Sequence, residues 1–296
     1  MNQKPLAISV SQLHRCFKDK IAVNHLDLSV KEGEIYSFLG PNGAGKSTTI
    51  KMLVTLLDPS SGDIEIFGLN TKKQADKARL IIGVALQEAS LDESQTGEEF
   101  LKIQGAIYGL GKEAVAYRIE ELKPLIDIGA ALQKQIKTYS GGMKRRLDLA
   151  ASIIHKPKIL FLDEPTTGLD PISRNKVWKE IRKLNKEEGV TIFLTTQYLE
   201  EADQLADRVG IINEGKLVAE GTVEELKNNI GDDLIIAKIE SISKETIDQL
   251  KKINGVSNVE EYEGEVTITS QNGSRVIGDV AITLNKGNTE TFQISV

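Results

Sequence analysis

Gly40-Pro41-Asn42-Gly43-Ala44-Gly45-Lys46-Ser47-Thr48 fits the pattern G-x-x-x-x-G-K-[ST], a set of residue types suited to gripping phosphate. Glycines at the spaced positions let backbone N–H groups close around phosphate oxygens without Cβ clashes. A helix opening near Lys46 would add its positive dipole end. Lys46 would reach the β- and γ-phosphates of a nucleotide, and Ser47 would offer its hydroxyl to a Mg²⁺ ion. The apolar run Ile35–Leu39 precedes the loop and the helix-like run Thr49–Val54 follows it. Strand, glycine-rich turn and helix is the context in which this pattern reads as a nucleotide site.

Other stretches carry weaker chemistry taken singly. Ile159-Leu160-Phe161-Leu162-Asp163-Glu164 is an apolar strand that delivers two acids at its C-terminal end. Ligands bind at that edge of an open α/β sheet. Adjacent acids suit a division of labour, with Asp163 orienting a metal shell and Glu164 polarising an attacking water. Ser140-Gly141-Gly142 stands before a helix-like run, Lys144–Ile154; alone it reads as a capping turn, and beside the first loop as a second anion-binding helix start. Two phosphate-directed termini in one chain imply either two ligands or one ligand held between two copies. Gln87, at the end of a strand, and Gly168-Leu169-Asp170, a turn just past Glu164, say little by themselves.

The elements that must position these residues alternate. Strands are expected over Leu6–Leu13, Ala22–Val30, Asp63–Phe67, Ile81–Leu86, Lys158–Leu162, Val190–Thr195, Arg208–Ile212 and Lys216–Ala219. Phe17 falls in a loop-like stretch between the first two. From about residue 90 to 155 the apolar spacing turns helical, which predicts a helical insertion in an α/β core with a largely parallel sheet. Helices are also expected over Pro171–Glu187 and Leu199–Ala206. Asn228–Asp233 reads as a linker that separates residues 1–229 from 230–296. The tail then runs strand, helix, strand, strand, helix, strand, the β-α-β-β-α-β order of the ferredoxin-like α+β arrangement. It carries no catalytic motif and reads as a small regulatory or interaction domain.

Composition narrows the class. With 40% hydrophobic and 27% charged residues among 296, the chain has the make-up of a water-soluble globular protein. No apolar run reaches the ~20 residues that span a bilayer. One cysteine, Cys16, forms no internal pair and fits a reducing cytosol. From Ile230 onward 6 Lys and Arg face 11 Asp and Glu, so five of the six net negative charges lie in the tail. Neither part carries the basic footprint of a nucleic-acid binder, and no nucleic-acid partner is expected.

In this order and spacing the motifs resemble the ATP-binding subunit of ATP-binding cassette (ABC) transporters over about residues 6–229. Gly40–Thr48 looks like the Walker A loop, Ile159–Glu164 like Walker B, and Gln87 like the Q-loop glutamine. Ser140-Gly141-Gly142 matches the signature motif and Asp170 closes the D-loop. Phe17 matches the aromatic position that stacks on adenine. The resemblance implies a P-loop NTPase of the ABC type with an inserted helical subdomain. It also implies ATP and Mg²⁺ as cofactors, the metal being held by Ser47, Gln87 and Asp163. Glu164, Gln197 and Lys46 would be the catalytic residues. Two chains, identical or paralogous, would pack head to tail with each ATP between the Walker A loop of one and the signature residues of the other. An integral membrane permease would be the further partner, docking near Gln87–Glu113, and would place the chain peripherally on the cytoplasmic side of the cell membrane.

Two departures stand out. The signature, most often Leu-Ser-Gly-Gly-Gln, here has Tyr139 and Met143 around its core. Gln197 occupies the position of the usual switch histidine; a glutamine still hydrogen-bonds but does not titrate near neutral pH. Together with the small tail domain, these features look most like daunorubicin-resistance-type ATPases, which power drug or antibiotic export. The expected function is ATP hydrolysis that drives export of a drug, antibiotic or lipid-like compound through the permease. A soluble ABC ATPase is the first alternative, and a nucleotide-gated binding protein with little hydrolysis is the second. Only 94 positions separate Lys46 from Ser140, too few for the long coiled-coil insertion of repair-type members.

Overall fold

The computed structural model describes residues 5–295 apart from 19, 88–90, 231–232, 240, 263, 271–272, 288 and 290. The chain divides into two compact units, Met1–Val223 and Glu224–Val296.

The first unit opens with two long strands, β1 (Leu6–Phe17) and β2 (Lys20–Lys31), paired antiparallel. The strand β3 (Ile35–Leu39) follows, then the helix α1 (Lys46–Leu53), β4 (Ser61–Ile66), β5 (Leu69–Asn70), α2 (Ala75–Arg79) and β6 (Ile82–Ala85). A helical stretch comes next: α3 (Gly97–Ile107), α4 (Lys112–Ile126), two short 3₁₀ turns and α5 (Gly141–Ser152). The unit closes with β7 (Ile159–Asp163), α6 (Pro171–Glu188), β8 (Thr191–Thr196), α7 (Leu199–Leu205), β9 (Arg208–Asn213) and β10 (Lys216–Gly221).

These strands form two sheets. One has the order β2-β1-β4-β5 and is antiparallel; the other runs β10-β9-β3-β8-β7-β6, parallel except for its β10 edge. The opening strands therefore stand apart from the parallel sheet. Their connection is too short for the crossover that parallel pairing needs, so an antiparallel hairpin is the outcome. Every residue of β3, β7 and β8 is buried, as strands covered on both faces require. Successive side chains of β7 enter different cores. Ile159 and Phe161 join a cluster with β1, β2, β4 and α1, while Leu160 and Leu162 join one with α3 to α6. Phe193 stands at the centre of the first cluster, its ring 5.6 to 5.7 Å from those of Tyr36, Phe38 and Phe161.

The register fixes what lies at the C-terminal edge of the parallel sheet. Leu39 pairs with Thr196 and Asp163 with Thr195. The phosphate loop after β3, Glu164 after β7, Gln197 after β8 and Gln87 beyond β6 thus all emerge at one edge. The helical stretch is tied down by local capping: Thr96 and Glu99 form a reciprocal capping box at α3, and Ser140 caps α5.

The helix α8 (Val223–Ile230) leads into the second unit and extends over Asn228–Ile230, the first part of the linker expected over Asn228–Asp233. Asn228 and Asn229 read as turn residues, but Glu224 and Glu225 in its first turn and Lys227 in its last complement the helix dipole. The order is then β11 (Asp233–Ile239), α9 (Lys244–Leu250), β12 (Val256–Tyr262), β13 (Glu265–Ser270), α10 (Gly273–Lys286) and β14 (Thr291–Ser295). Its sheet, β12-β13-β11-β14, is antiparallel throughout and places the two middle strands of the sequence to one side of the first. A separate core of Ile235, Ala237, Leu250, Val266, Ile268, Val280 and Leu284 holds this unit.

Candidate functional site

The loop after β3 is shaped by close backbone approach. Gly40 donates its N–H to Thr196 O at 3.1 Å, and a Cβ there would lie 2.3 Å from Ile212 O. Gly45 has φ +109, and a Cβ on it would meet Ala22 O at 2.4 Å. Only glycine fits either position. Ala44 is buried in the apolar cluster and Pro41 turns its carbonyl inward to the Lys46 ammonium, so both hold the loop. A cavity of about 360 Å³ opens over the loop, lined by Asn42, Gly43, Gly45, Lys46, Ser47 and Thr48 together with Gln87, Glu164 and Lys20. Lys20 is a site residue that the sequence reading passes over, because it looks like one more charge in a Lys-Asp-Lys turn.

Lys46, the first residue of α1, is buried. Its ammonium donates to Gly40 O at 2.8 Å and Pro41 O at 3.1 Å and lies 3.4 Å from the Glu164 carboxylate. Glu164 has φ 48 in the left-handed region, a conformation that costs a non-glycine residue roughly 1 kcal/mol or more. The turn is held by the Glu164 N–H, which bonds to Thr195 O and Oγ1. Its carboxylate accepts from Thr167 Oγ1 at 3.2 Å and Gln87 Nε2 at 3.4 Å. The Ser47 hydroxyl donates to Asp163 Oδ1 at 3.2 Å, so a hydroxyl and a carboxylate converge as hard oxygen donors.

Thr195 is the second residue that the sequence reading misses. Its hydroxyl donates to Asp163 Oδ1 at 2.5 Å and accepts from the Glu164 N–H at 3.2 Å, so one side chain aligns both acids. A threonine in a buried strand gives no signal; the β7–β8 register makes it matter. Thr195→Val keeps the shape and removes both bonds. It is expected to destabilise the fold by about 1–3 kcal/mol, read from urea unfolding, and to lower ATP turnover.

Phe17 ends β1 and does not sit in a loop. It is 44% exposed, with the Arg15 guanidinium 4.5 Å from its ring centroid, and offers an open aromatic face. Gln197 is half-buried just past β8 and is not among the residues lining the cavity. Asp170 caps α6, accepting from the N–H groups of Ile172 and Ser173 at 3.0 Å, and its bonds to Ser173 hold its carboxyl below the usual range.

Ser140 and Gly141 are exposed, and beyond its chain neighbours and its own helix no atom of the described residues stands within 4 Å of where a Gly141 Cβ would be. They form an open helix start that does not line the cavity over Lys46. The flanking departures have packing reasons. Tyr139 is buried and its hydroxyl donates to Ala131 O at 2.6 Å, while Met143 packs against the helical core. Neither substitution touches the exposed backbone of the helix start.

Phosphate loop, paired acids at a parallel sheet edge and an inserted helical stretch define an ATPase of the P-loop class. A family model described as "ABC transporter" matches residues 23–167. The chain is 50% identical over 236 residues to the daunorubicin/doxorubicin resistance ATP-binding protein DrrA of Streptomyces peucetius, covering 79% of this chain and 71% of that one. It is 36% identical to the linearmycin resistance ATP-binding protein LnrL of Bacillus subtilis, over 88% of this chain and 84% of the relative. Among solved structures, cbiO1 from Clostridium perfringens, part of an ABC transporter complex, superposes with a TM-score of 0.69 at 26% identity, over 84% of this chain and 95% of cbiO1. The chain belongs to the ATP-binding subunits of the ABC transporter family. No helix among the described residues is long and apolar enough to cross a membrane.

Proposed function

We propose that this chain hydrolyses ATP as half of a head-to-tail dimer, with itself or a paralogue, to drive export of a drug, antibiotic or lipid-like compound through a separate integral membrane permease. The observation that carries the shared site is the separation of two phosphate-directed groups. The cavity over Lys46 is built by one edge of the sheet, while Ser140 and Gly141 present an exposed helix start that the cavity does not use. Each half would complete the other's site in the dimer.

Loop amides and the Lys46 ammonium would hold the β- and γ-phosphates, with the adenine stacked on Phe17. Ser47, Asp163 and Gln87 would hold Mg²⁺, which when bound neutralises phosphate charge. Glu164 would accept a proton from the attacking water, and Gln197 would hydrogen-bond the γ-phosphate or that water. Gly141 and Gly142 of the other subunit would direct N–H groups at the same phosphate. ATP then favours the closed dimer, and hydrolysis removes the differential binding that kept it closed.

A groove of about 330 Å³ lined by Val54, Leu56, Val84, Leu86 and Tyr108, with Arg79 and Asp148 beside them, is the surface proposed for the permease. Leu86 adjoins Gln87, so a partner seated there would be coupled to the site. The chain would then sit peripherally on the cytoplasmic face of the cell membrane. Residues 230–296 would serve as a regulatory or interaction domain.

Phosphate release by the purified protein, with and without Gln197→His, tests this reading. The unsubstituted chain is expected to release phosphate. Gln197→His is expected to raise the rate and to introduce a pH dependence at roughly 6.5, the imidazole range. No release from either form would favour a nucleotide-gated binding protein.

A further inference from the structure

The middle residue of the Lys144-Arg145-Arg146 run does not line the cavity over the phosphate loop. Arg145 lies on α5, five positions beyond Ser140, and its side chain is 11% exposed. Its Nε donates to Pro165 O at 3.0 Å, its Nη2 to Asp163 O at 3.1 Å, and its Nη1 to Leu86 O. These carbonyls lie at or just beyond the C-terminal ends of β6 and β7, where the chain leaves the sheet and backbone acceptors need new partners. One planar fork therefore holds the backbone immediately before Gln87 and on both sides of Glu164.

The neighbouring arginine faces another way. Arg146 Nε donates to Ile126 O at 2.9 Å and its Nη2 to Asp127 O at 3.3 Å, at the C-terminal end of α4. Consecutive arginines thus bolt α5 to the helical stretch on one side and to the sheet edge on the other.

We infer that Arg145 is a positioning residue that couples the seating of the Ser140 helix to the placement of Gln87 and Glu164. The inference rests on the proposed ATP hydrolysis at Glu164. A purely structural ion pair would need only Asp148, whose carboxylate is 3.3 Å from Nη1. Asp148 accounts for one contact, and the three carbonyls, none of them on α5, account for the rest. Burial disfavours the charge on Arg145, which Asp148, Asp163 and Glu201 offset. The Glu164 turn has its own supports besides Arg145. Thr166 Oγ1 donates to Glu201 Oε1 at 2.8 Å and Thr167 Oγ1 to Glu164 at 3.2 Å. Loss of the fork should therefore shift the turn without dismantling it.

Arg145→Lys keeps the charge and loses the fork, and Arg145→Gln keeps a planar donor and loses the charge. Both are expected to lower kcat by about 10- to 100-fold, with KM for ATP and the ATP Kd within about twofold of the unsubstituted protein. The ATP-driven dimer should persist when Arg145→Lys is combined with Glu164→Gln. Hydrogen exchange should quicken in peptides covering Leu86–Gln87 and Asp163–Thr167 and stay unchanged in the second unit. Unchanged kcat in both variants, or a fall in kcat matched by an equal loss of ATP affinity, would overturn the inference. If the unsubstituted protein released no phosphate, the functional reading would fall by itself. The exchange measurement would still decide the clamp, because unchanged exchange at both peptides would refute it.

Discussion

Glu164→Gln is expected to cut ATP turnover about a thousandfold while leaving ATP binding as tight as before or tighter. Glutamine has the size and shape of glutamate, and the left-handed backbone at φ 48 treats the two alike. Its amide can still meet Thr167 Oγ1 and Gln87, which now lie 3.2 and 3.4 Å from the carboxylate. What it lacks is the charge that would accept a proton from water. The same charge also pairs with Lys46, where both side chains are at most 6% exposed. Removing it leaves a buried ammonium whose remaining partners among the described residues are Gly40 O and Pro41 O. Breaking a buried pair in this way costs several kcal/mol, and a bound triphosphate would supply the missing negative charge. The variant should therefore melt earlier than the parent without nucleotide and gain more from added ATP. Phosphate release and nucleotide-dependent thermal shifts check both halves. Turnover surviving the change would remove Glu164 as the water-polarising group.

Residues whose type is unusual for their surroundings were the legible ones. A lysine after Gly-Ala-Gly, or two acids ending a run of Ile-Leu-Phe-Leu, conflicts with local packing unless a ligand compensates, and such conflicts show in one dimension. The buried strand β7 was readable for the same reason, since a run such as Ile159-Leu160-Phe161-Leu162 has few uses. Thr195 and Arg145 were not. A threonine is at home in any strand, and its two bonds to the acids arise from which residue of β8 lies opposite Asp163. Arg145 sits in a run of basic residues that reads as a solvated helix face, yet it turns inward to donate to three carbonyls at or just beyond the ends of β6 and β7. Sheet membership was hidden as well: β1 and β2 have the alternation of half-buried strands, but nothing in that alternation says they form a layer of their own. Lys20 belongs with them, since only the path of the hairpin brings it to the cavity.

Lys46→Ala is expected to weaken ATP binding by about 100-fold or more and to abolish ATP-driven dimer formation, and the two losses have one cause. Deleting one partner of a buried charge-assisted contact costs about 2–5 kcal/mol. Here the deletion also strips donors from Gly40 O and Pro41 O and leaves the Glu164 carboxylate facing the phosphates without a counter-charge. The γ-phosphate would then meet an acid where the loop normally offers an ammonium. Part of the effect is thus repulsion from Glu164, and the double variant Lys46→Ala/Glu164→Gln separates the terms. Relief of repulsion should recover some ATP affinity relative to Lys46→Ala alone, while the contribution of the ammonium itself stays lost. Dimerisation depends on how firmly ATP is seated, because in a shared site the Ser140 helix start of the other subunit binds a phosphate that the first has already placed. Equilibrium nucleotide titration followed by size-exclusion chromatography with ATP measures both quantities on the same samples. If ATP still drove Lys46→Ala to dimerise with affinity for the nucleotide reduced, the helix start would be acting without the loop, and the shared-site reading would be wrong.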